Sequence, residues 1–156
     1  MLEINIPGFA DLRIARIVSD YNGTLALDGR LLPGVADALV ALAAVVKIHV
    51  ITADTFGLAR AELADLPVEL TIAPTERQAE TKLALLRTLG AESVVAFGNG
   101  RNDRKMLGAA AVGIALLQKE GLDAETLANA DLVAPGILDA LDLLRQPKRL
   151  IASLRS

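Results

Sequence analysis

Short apolar runs alternate with helical stretches along almost the whole chain, and this alternation restricts the fold more than any other feature. The strand-like runs are LRIARIVS, KIHVIT, VELTI, SVVAFG, AVGIAL and DLVA. Between them stand GVADALVALAAVV, FGLARAELADL, TERQAETKLALLRTLG, NDRKMLGAA and GLDAETLANA, which read as helices. Strand then helix, repeated at least four times, is the pattern of a parallel sheet with helices on both faces. The expected fold class is therefore α/β, doubly wound and Rossmann-like. GVADALVALAAVV starts after Pro33-Gly34 and is apolar all round, so it is expected to be largely buried. TERQAETKLALLRTLG ends at Gly90, which suits a left-handed helix cap. LEINI and the start of LRIARIVS flank PGFAD, predicting a small N-terminal β-hairpin that leads into the first core strand. GILDALDLLRQP reads as the closing helix, stopping before Pro147.

Hydrophobic residues make up 53% of the chain and charged residues 22%, enough for one core, so residues 1–156 are expected to form a single domain. Aromatics are only 3%, so that core is expected to be Leu, Val, Ala and Ile. No run of about 20 apolar residues could cross a bilayer, and the acidic, proline-containing N-terminus does not resemble a signal peptide. The expectation is a cytoplasmic protein without a membrane partner. A net charge of −3 provides no basic footprint for nucleic acid. There is no cysteine, which excludes thiolate chemistry. His49 lies inside KIHVIT and is expected to be a sheet histidine, since no second histidine exists for a metal cluster.

In parallel sheets the ligand site lies beyond the carboxyl ends of the strands, and three polar loops stand there: 20–24, 52–55 and 98–103. In the first, Asp20 is followed by a glycine turn whose backbone N–H groups, with Thr24, suit a phosphate or another anion. A plain turn with Asp20 as its cap has the same composition. In the second, Thr52 puts a hydroxyl at the end of an apolar strand; it either meets a ligand or satisfies a backbone group while Asp54 caps the next helix. The third, GNGRND, puts two glycines, two asparagines and an aspartate into six residues, poor packing material but good oxygen ligands for a hard cation such as Mg²⁺.

Asp20-Tyr21-Asn22-Gly23-Thr24-Leu25, Thr52, Lys82 and Gly98-Asn99-Gly100-Arg101-Asn102-Asp103 fall in the order of the four motifs of the haloacid dehalogenase (HAD) superfamily. GNGRNDRKML resembles the Gly-Asp-Gly-x-Asn-Asp motif shared with P-type ATPases, and the chain looks most like small soluble P-type ATPase-like proteins. The resemblance implies that Asp20 is the nucleophile and becomes an aspartyl-phosphate. It implies that Thr52 and Lys82 bind the phosphoryl oxygens, within a phosphate site formed by Gly23, Thr24, Thr52, Ala53, Lys82 and Asn102. It also implies an Mg²⁺ cofactor held by Asp20, the Asn22 backbone carbonyl, Asn99 and Asp103.

Two positions depart from that pattern. The superfamily's hydrolases generally have an aspartate where this chain has Asn22, and it protonates the leaving group and then activates water. Asn22 can donate a hydrogen bond but cannot shuttle a proton, which removes help worth roughly 10²–10⁴-fold. Asn99 stands in place of a metal-binding aspartate and offers an amide oxygen with one negative charge fewer. Between Asp20 and Thr52 there is room only for a flap hairpin (LALDGRLLPG) and one helix, so no cap domain is expected. Two functions fit these residues. One is a slow, open-sited, Mg²⁺-dependent phosphatase or phosphotransferase acting on a phosphorylated substrate with a good leaving group. The other is a non-catalytic phosphate- or Mg²⁺-binding regulatory module that recognises a protein partner. A flap lined by Leu25, Leu27, Leu31 and Leu32 would stand exposed without a cover, so a homo-oligomer is expected.

Overall fold

The computed structural model describes residues 1–156. β1 (Leu2–Ile6) and β2 (Ala10–Ile14) pair antiparallel, with Leu2 opposite Ile14 and Ile6 opposite Ala10. Every second residue is buried, Ile4 and Ile6 on one strand and Leu12 and Ile14 on the other, so the hairpin lays one face on the core. β3 (Arg16–Ser19) follows as the first core strand. β4 (Ala26–Leu27) and β5 (Arg30–Leu31) form the flap, joined by Asp28-Gly29 with φ of 51° and 85°. Positive φ at both central residues is what a tight two-residue hairpin with right-twisted strands requires. Then come α1 (Val35–Ala43), β6 (Lys47–Thr52), α2 (Ala59–Leu63), β7 (Glu69–Ile72) and α3 (Gln78–Leu89). The second half comprises β8 (Val94–Gly98), α4 (Arg104–Ala109), β9 (Val112–Leu116), α5 (Ala124–Asn129), β10 (Leu132–Ala134), α6 (Ile137–Arg145) and α7 (Pro147–Leu154).

Six strands form one sheet in the order β10-β9-β8-β3-β6-β7, and every neighbouring pair is parallel. The α/β class and the N-terminal hairpin are as the sequence implies. β3 is the centre: the chain runs outward from it through β6 to β7, then returns to its other side with β8. That reversal opens a crevice at the carboxyl end of β3, where such sheets bind their ligands. Side-chain alternation divides the core between the two faces. Ile17, Ile48, Val50, Val95, Phe97 and Ile114 join a cluster of 28 buried residues with α1, α6, α7 and the hairpin. Val18, Ile51, Val94, Ala96 and Ala115 point the other way, onto Leu86 of α3 and Met106 and Leu107 of α4.

Three expectations need correction. α1 is not buried all round: Val35, Ala38, Leu39 and Leu42 face the core, while Val40 is 52% exposed. Asp37, three residues before Val40, shares this outer side and is the one polar residue of α1. α6 does stop before Pro147, at Arg145, but it is not the closing helix: α7 starts at Pro147, because proline at the first helical position gives up an N–H that has no helical partner anyway. The flap is also not an exposed apolar sheet. Leu25 is fully buried and Leu27, Leu31 and Leu32 are half-buried, the last two against the main core, so the flap exposes less apolar surface than expected. No helix is long and apolar enough to cross a membrane.

His49 on β6 is buried, with Nδ1 3.4 Å from Glu69 and no partner for Nε2. Burial holds its pKa below the usual 6.5 against the pull of Glu69. The unfolded chain therefore binds this proton more readily, so stability falls as pH drops below 6.5 toward the folded-state value. Urea midpoints measured from pH 8 to pH 5 are expected to fall less steeply for His49→Gln than for the wild type. Parallel curves would assign the slope to another group.

Candidate active site

The carboxyl ends of β3, β6 and β8 meet, with Ser19 in register with Val50 and Phe97, so the residues following each strand share one cavity of about 150 Å³. Asp20, Asn22, Thr52, Ala53, Asn99 and Asn102 line it, together with Thr55, Gln78, Gly100 and Glu120. Gly23, Thr24, Lys82 and Asp103 of the expected set lie beneath or beside this lining, and all are buried.

Asp20 is anchored by its N–H, which donates to the Phe97 carbonyl at 3.0 Å. Its Oδ1 accepts from Lys82 Nζ at 2.9 Å, and its Oδ2 lies 3.3 Å from the Thr24 hydroxyl. Thr24 Oγ1 is also 3.3 Å from Asn99 Oδ1, and with a single proton it can donate to only one of the two at a time. Lys82 comes from the middle of α3, yet it is only 1% exposed. All three of its protons are used: Asp20 Oδ1, Asp103 Oδ1 at 2.7 Å and Asn102 Oδ1 at 3.1 Å. Burial alone disfavours an ammonium, but the carboxylates of Asp20 and Asp103 outweigh it, and the net effect raises the pKa above its ordinary value.

Asp103 is completely buried. Burial and the Asp20 charge push its carboxyl up, to about 7, while Lys82 pulls it down. With an ammonium at 2.7 Å on one oxygen and the N–H groups of Asn99 and Gly100 at 3.0 Å on the other, the surroundings are built for the ionised form. Both oxygens are thus committed within the protein. Asp103, expected as an oxygen ligand of Mg²⁺, is tied in this structure to Lys82 and to the 98–103 loop.

Thr52 performs the backbone duty its sequence setting suggests, accepting from Asp54 N–H at 3.0 Å, and Asp54 Oδ1 in turn accepts from Ala59 N–H at 3.0 Å. Because the Thr52 oxygen acts as acceptor there, its proton remains available to the cavity. Asn22 divides its groups. Its side-chain Oδ1 accepts from Gly29 N–H at 2.9 Å, tying the flap turn to the site, and its backbone carbonyl takes no hydrogen bond from the chain. Gly23, with φ of 80°, could carry no side chain: a β-carbon would lie 2.5 Å from Asn99 Nδ2 and 2.7 Å from the Glu120 carboxyl carbon.

The oxygens open to an ion are Asp20 Oδ2, the Asn22 carbonyl and Asn99 Oδ1, a hard donor set that suits Mg²⁺. Nowhere do three or more carboxylate or imidazole side chains converge as a metal cluster by themselves. Three contributors escape the sequence reading. Gln78, four residues before Lys82 on α3, accepts from Asn102 Nδ2 at 2.7 Å and so turns the Asn102 oxygen to Lys82. Gln118 donates to the Gly23 and Thr24 carbonyls at 3.1 and 2.9 Å, bracing the first loop. Glu120 reaches the cavity from the same loop after β9. That loop, too, leaves the carboxyl end of a strand, and the strand-end rule that picked out the other three would have found it.

Comparison with known proteins gives a consistent fold. No family model matches the chain. An uncharacterized protein of Methanocaldococcus jannaschii is 40% identical over 78 residues, which cover 47% of this chain and 84% of that protein. The 3-deoxy-D-manno-octulosonate 8-phosphate phosphatase of Moraxella catarrhalis, solved with magnesium, phosphate and the sugar acid, superposes with a TM-score of 0.70 at 17% identity, covering 91% of this chain and 94% of that one. The cobalt-bound phosphatase of the same type from Haemophilus influenzae gives a TM-score of 0.72 at 16% identity, over 92% and 94%. A zinc-transporting P-type ATPase gives 0.54 at 26% identity, over 78% of this chain and 20% of the pump.

Proposed function

We propose that this chain, which carries the haloacid dehalogenase fold and belongs to one family with the uncharacterized archaeal protein, is an Mg²⁺-dependent phosphatase or phosphotransferase working through an aspartyl-phosphate on Asp20. The observation that carries this reading is the state of Asp20: one oxygen is held by buried Lys82, and the other stands at the cavity floor with only a long contact to Thr24. A carboxylate so held is aimed and is not free to rotate, which is what in-line attack on phosphorus needs.

In the proposed reaction an Asp20 oxygen attacks phosphorus as the bond to the leaving oxygen breaks. The Thr52 hydroxyl holds a phosphoryl oxygen, and the Lys82 ammonium, its protons on Asp20, Asn102 and Asp103, offsets charge on both partners. Mg²⁺, held by Asp20, the Asn22 carbonyl and Asn99, would offset the repulsion between a carboxylate and a phosphate dianion. Asn22 has no proton to give to a leaving oxygen, so the reading favours acyl or aryl phosphates, whose leaving groups need little acid help.

The test is phosphate release from acetyl phosphate and para-nitrophenyl phosphate with Mg²⁺ and with a chelator. Wild-type release is expected to be slow and Mg²⁺-dependent, and Asn22→Asp is expected to raise it about tenfold or more. An aspartate can keep the Gly29 N–H contact with one oxygen and carry the proton on the other. A protein that releases nothing under any of these conditions, in either form, would be a phosphate- or Mg²⁺-binding module instead.

A further inference from the structure

We propose that Glu120 is a carboxylate of the ion site, returning the negative charge that Asn99 lacks; this rests on the reading of Asp20 and Mg²⁺ given above. The first support is the way Asn99 is held. Its Nδ2 donates to the Gly121 carbonyl at 2.9 Å, and its own carbonyl accepts from Asp123 N–H at 2.9 Å. The loop after β9 is therefore fastened to Asn99 on both sides of its turn. An aspartate at position 99 would set a carboxylate oxygen against the Gly121 carbonyl, two acceptors with no proton between them. The amide is required by the loop, and donating to Gly121 is what leaves Oδ1 facing Thr24 and the site.

The second support is where that loop puts its neighbour. Glu120 immediately precedes the carbonyl that Asn99 binds, and it lines the same cavity as Asp20 and Asn22. Its carboxyl carbon and Asn99 Oδ1 lie 2.7 and 2.8 Å from the point a Gly23 β-carbon would occupy, so the two side chains approach each other across that glycine. The contact that costs position 99 its charge thus delivers a charge from position 120.

The third support is a count of uncommitted oxygens. Asp20 shares one oxygen with Lys82, and Asp103 has none free. Glu120 makes no hydrogen bond or ion pair with the chain, although it lies against buried Asn99 and Gly23. Without it, the cavity offers an ion one carboxylate, already shared with a cation. Mg²⁺ sites draw on one or two carboxylates together with substrate phosphate, so a second carboxylate counts most before substrate arrives. Glu120 should therefore set metal affinity of the free protein more than that of the phosphate-loaded form.

The experiment is titration of the intact protein with Mn²⁺ as a probe for Mg²⁺, followed by electron paramagnetic resonance of the free ion, without phosphate. Glu120→Gln is expected to bind about tenfold more weakly than wild type or worse, Glu120→Asp to retain most of the affinity, and added inorganic phosphate to narrow the gap. Melting curves check that the exposed substitutions leave the fold intact. If wild type binds Mn²⁺ and Glu120→Gln matches it within twofold, Glu120 is not part of the ion site, while the reading of Asp20 stands. The proposal is equally overturned if the affinity is unchanged and only the life of a phosphoenzyme is altered, which would make Glu120 a base acting on water. If wild type takes up no Mn²⁺ and forms no phosphoenzyme, both readings fall together.

Discussion

Mixed with Mg²⁺ and acetyl phosphate and then quenched in acid, the protein is expected to carry a phosphoryl group on the peptide containing Asp20, and Asp20→Asn to carry none. Formation needs an aimed carboxylate and a cation against it. Lys82 supplies that cation at 2.9 Å, buried where water cannot screen it. Breakdown needs a base to take a proton from water. Asn22 cannot do this, and its oxygen is engaged with the Gly29 N–H. Missing general-base help is worth roughly 10²–10⁴-fold, so uptake should outrun hydrolysis and the adduct should outlive the mixing step. Asn22→Asp should shorten its life without lowering its formation. Wild type with neither adduct nor turnover would remove the catalytic reading and leave phosphate or Mg²⁺ binding as the activity to look for.

The parts of this site that are legible in the sequence share one property: each follows an apolar run that can only be a buried strand. Asp20 after RIVS, Thr52 at the end of KIHVIT and the GNGRND turn after VVAF are fixed by parallel pairing, and their convergence follows from strand order. What the sequence hides is which partner each polar group selects. Asp103 and Asn99 are equally good oxygen donors by residue type alone. Folding commits both Asp103 oxygens to Lys82 and to two backbone N–H groups, and leaves one Asn99 oxygen free of backbone partners. The loop of Glu120, QKEGLD, stands at a strand end like the other three, but its composition looks like any solvated turn, and the hydrogen bond that ties it to Asn99 spans 22 residues of sequence. The misread helices have local causes. Proline both ends and begins helices, and at 147 it does both: α6 stops before it and the amphipathic residues that follow form α7. In α1 the only polar cue to the outer face is exposed Asp37, set in an otherwise apolar run.

Lys82→Met is expected to produce the largest change in stability of any single substitution at the site, and to abolish the phosphoenzyme. The methionine stem fills much of the same space, so the cavity term is small and the electrostatic one dominates. Three hydrogen bonds vanish, to Asp20, Asn102 and Asp103, and a completely buried carboxylate loses its counter-ion. Breaking a buried pair on one side costs about 3–5 kcal/mol, a large part of the roughly 5–15 kcal/mol that holds a typical domain together. The pH dependence identifies the cause. Without the ammonium, burial and the Asp20 charge raise the folded-state pKa of Asp103 well above its unfolded value, so the folded variant binds more protons than the unfolded chain between those two values. Lys82 holds the wild-type Asp103 at about 7, so the deficit relative to wild type shrinks as pH falls toward 7 from the alkaline side and levels off below it. Urea unfolding at pH 9 and pH 7 measures this directly. A deficit of the same size at both pH values would mean that lost packing, and not the stranded Asp103 charge, is what Lys82 prevents.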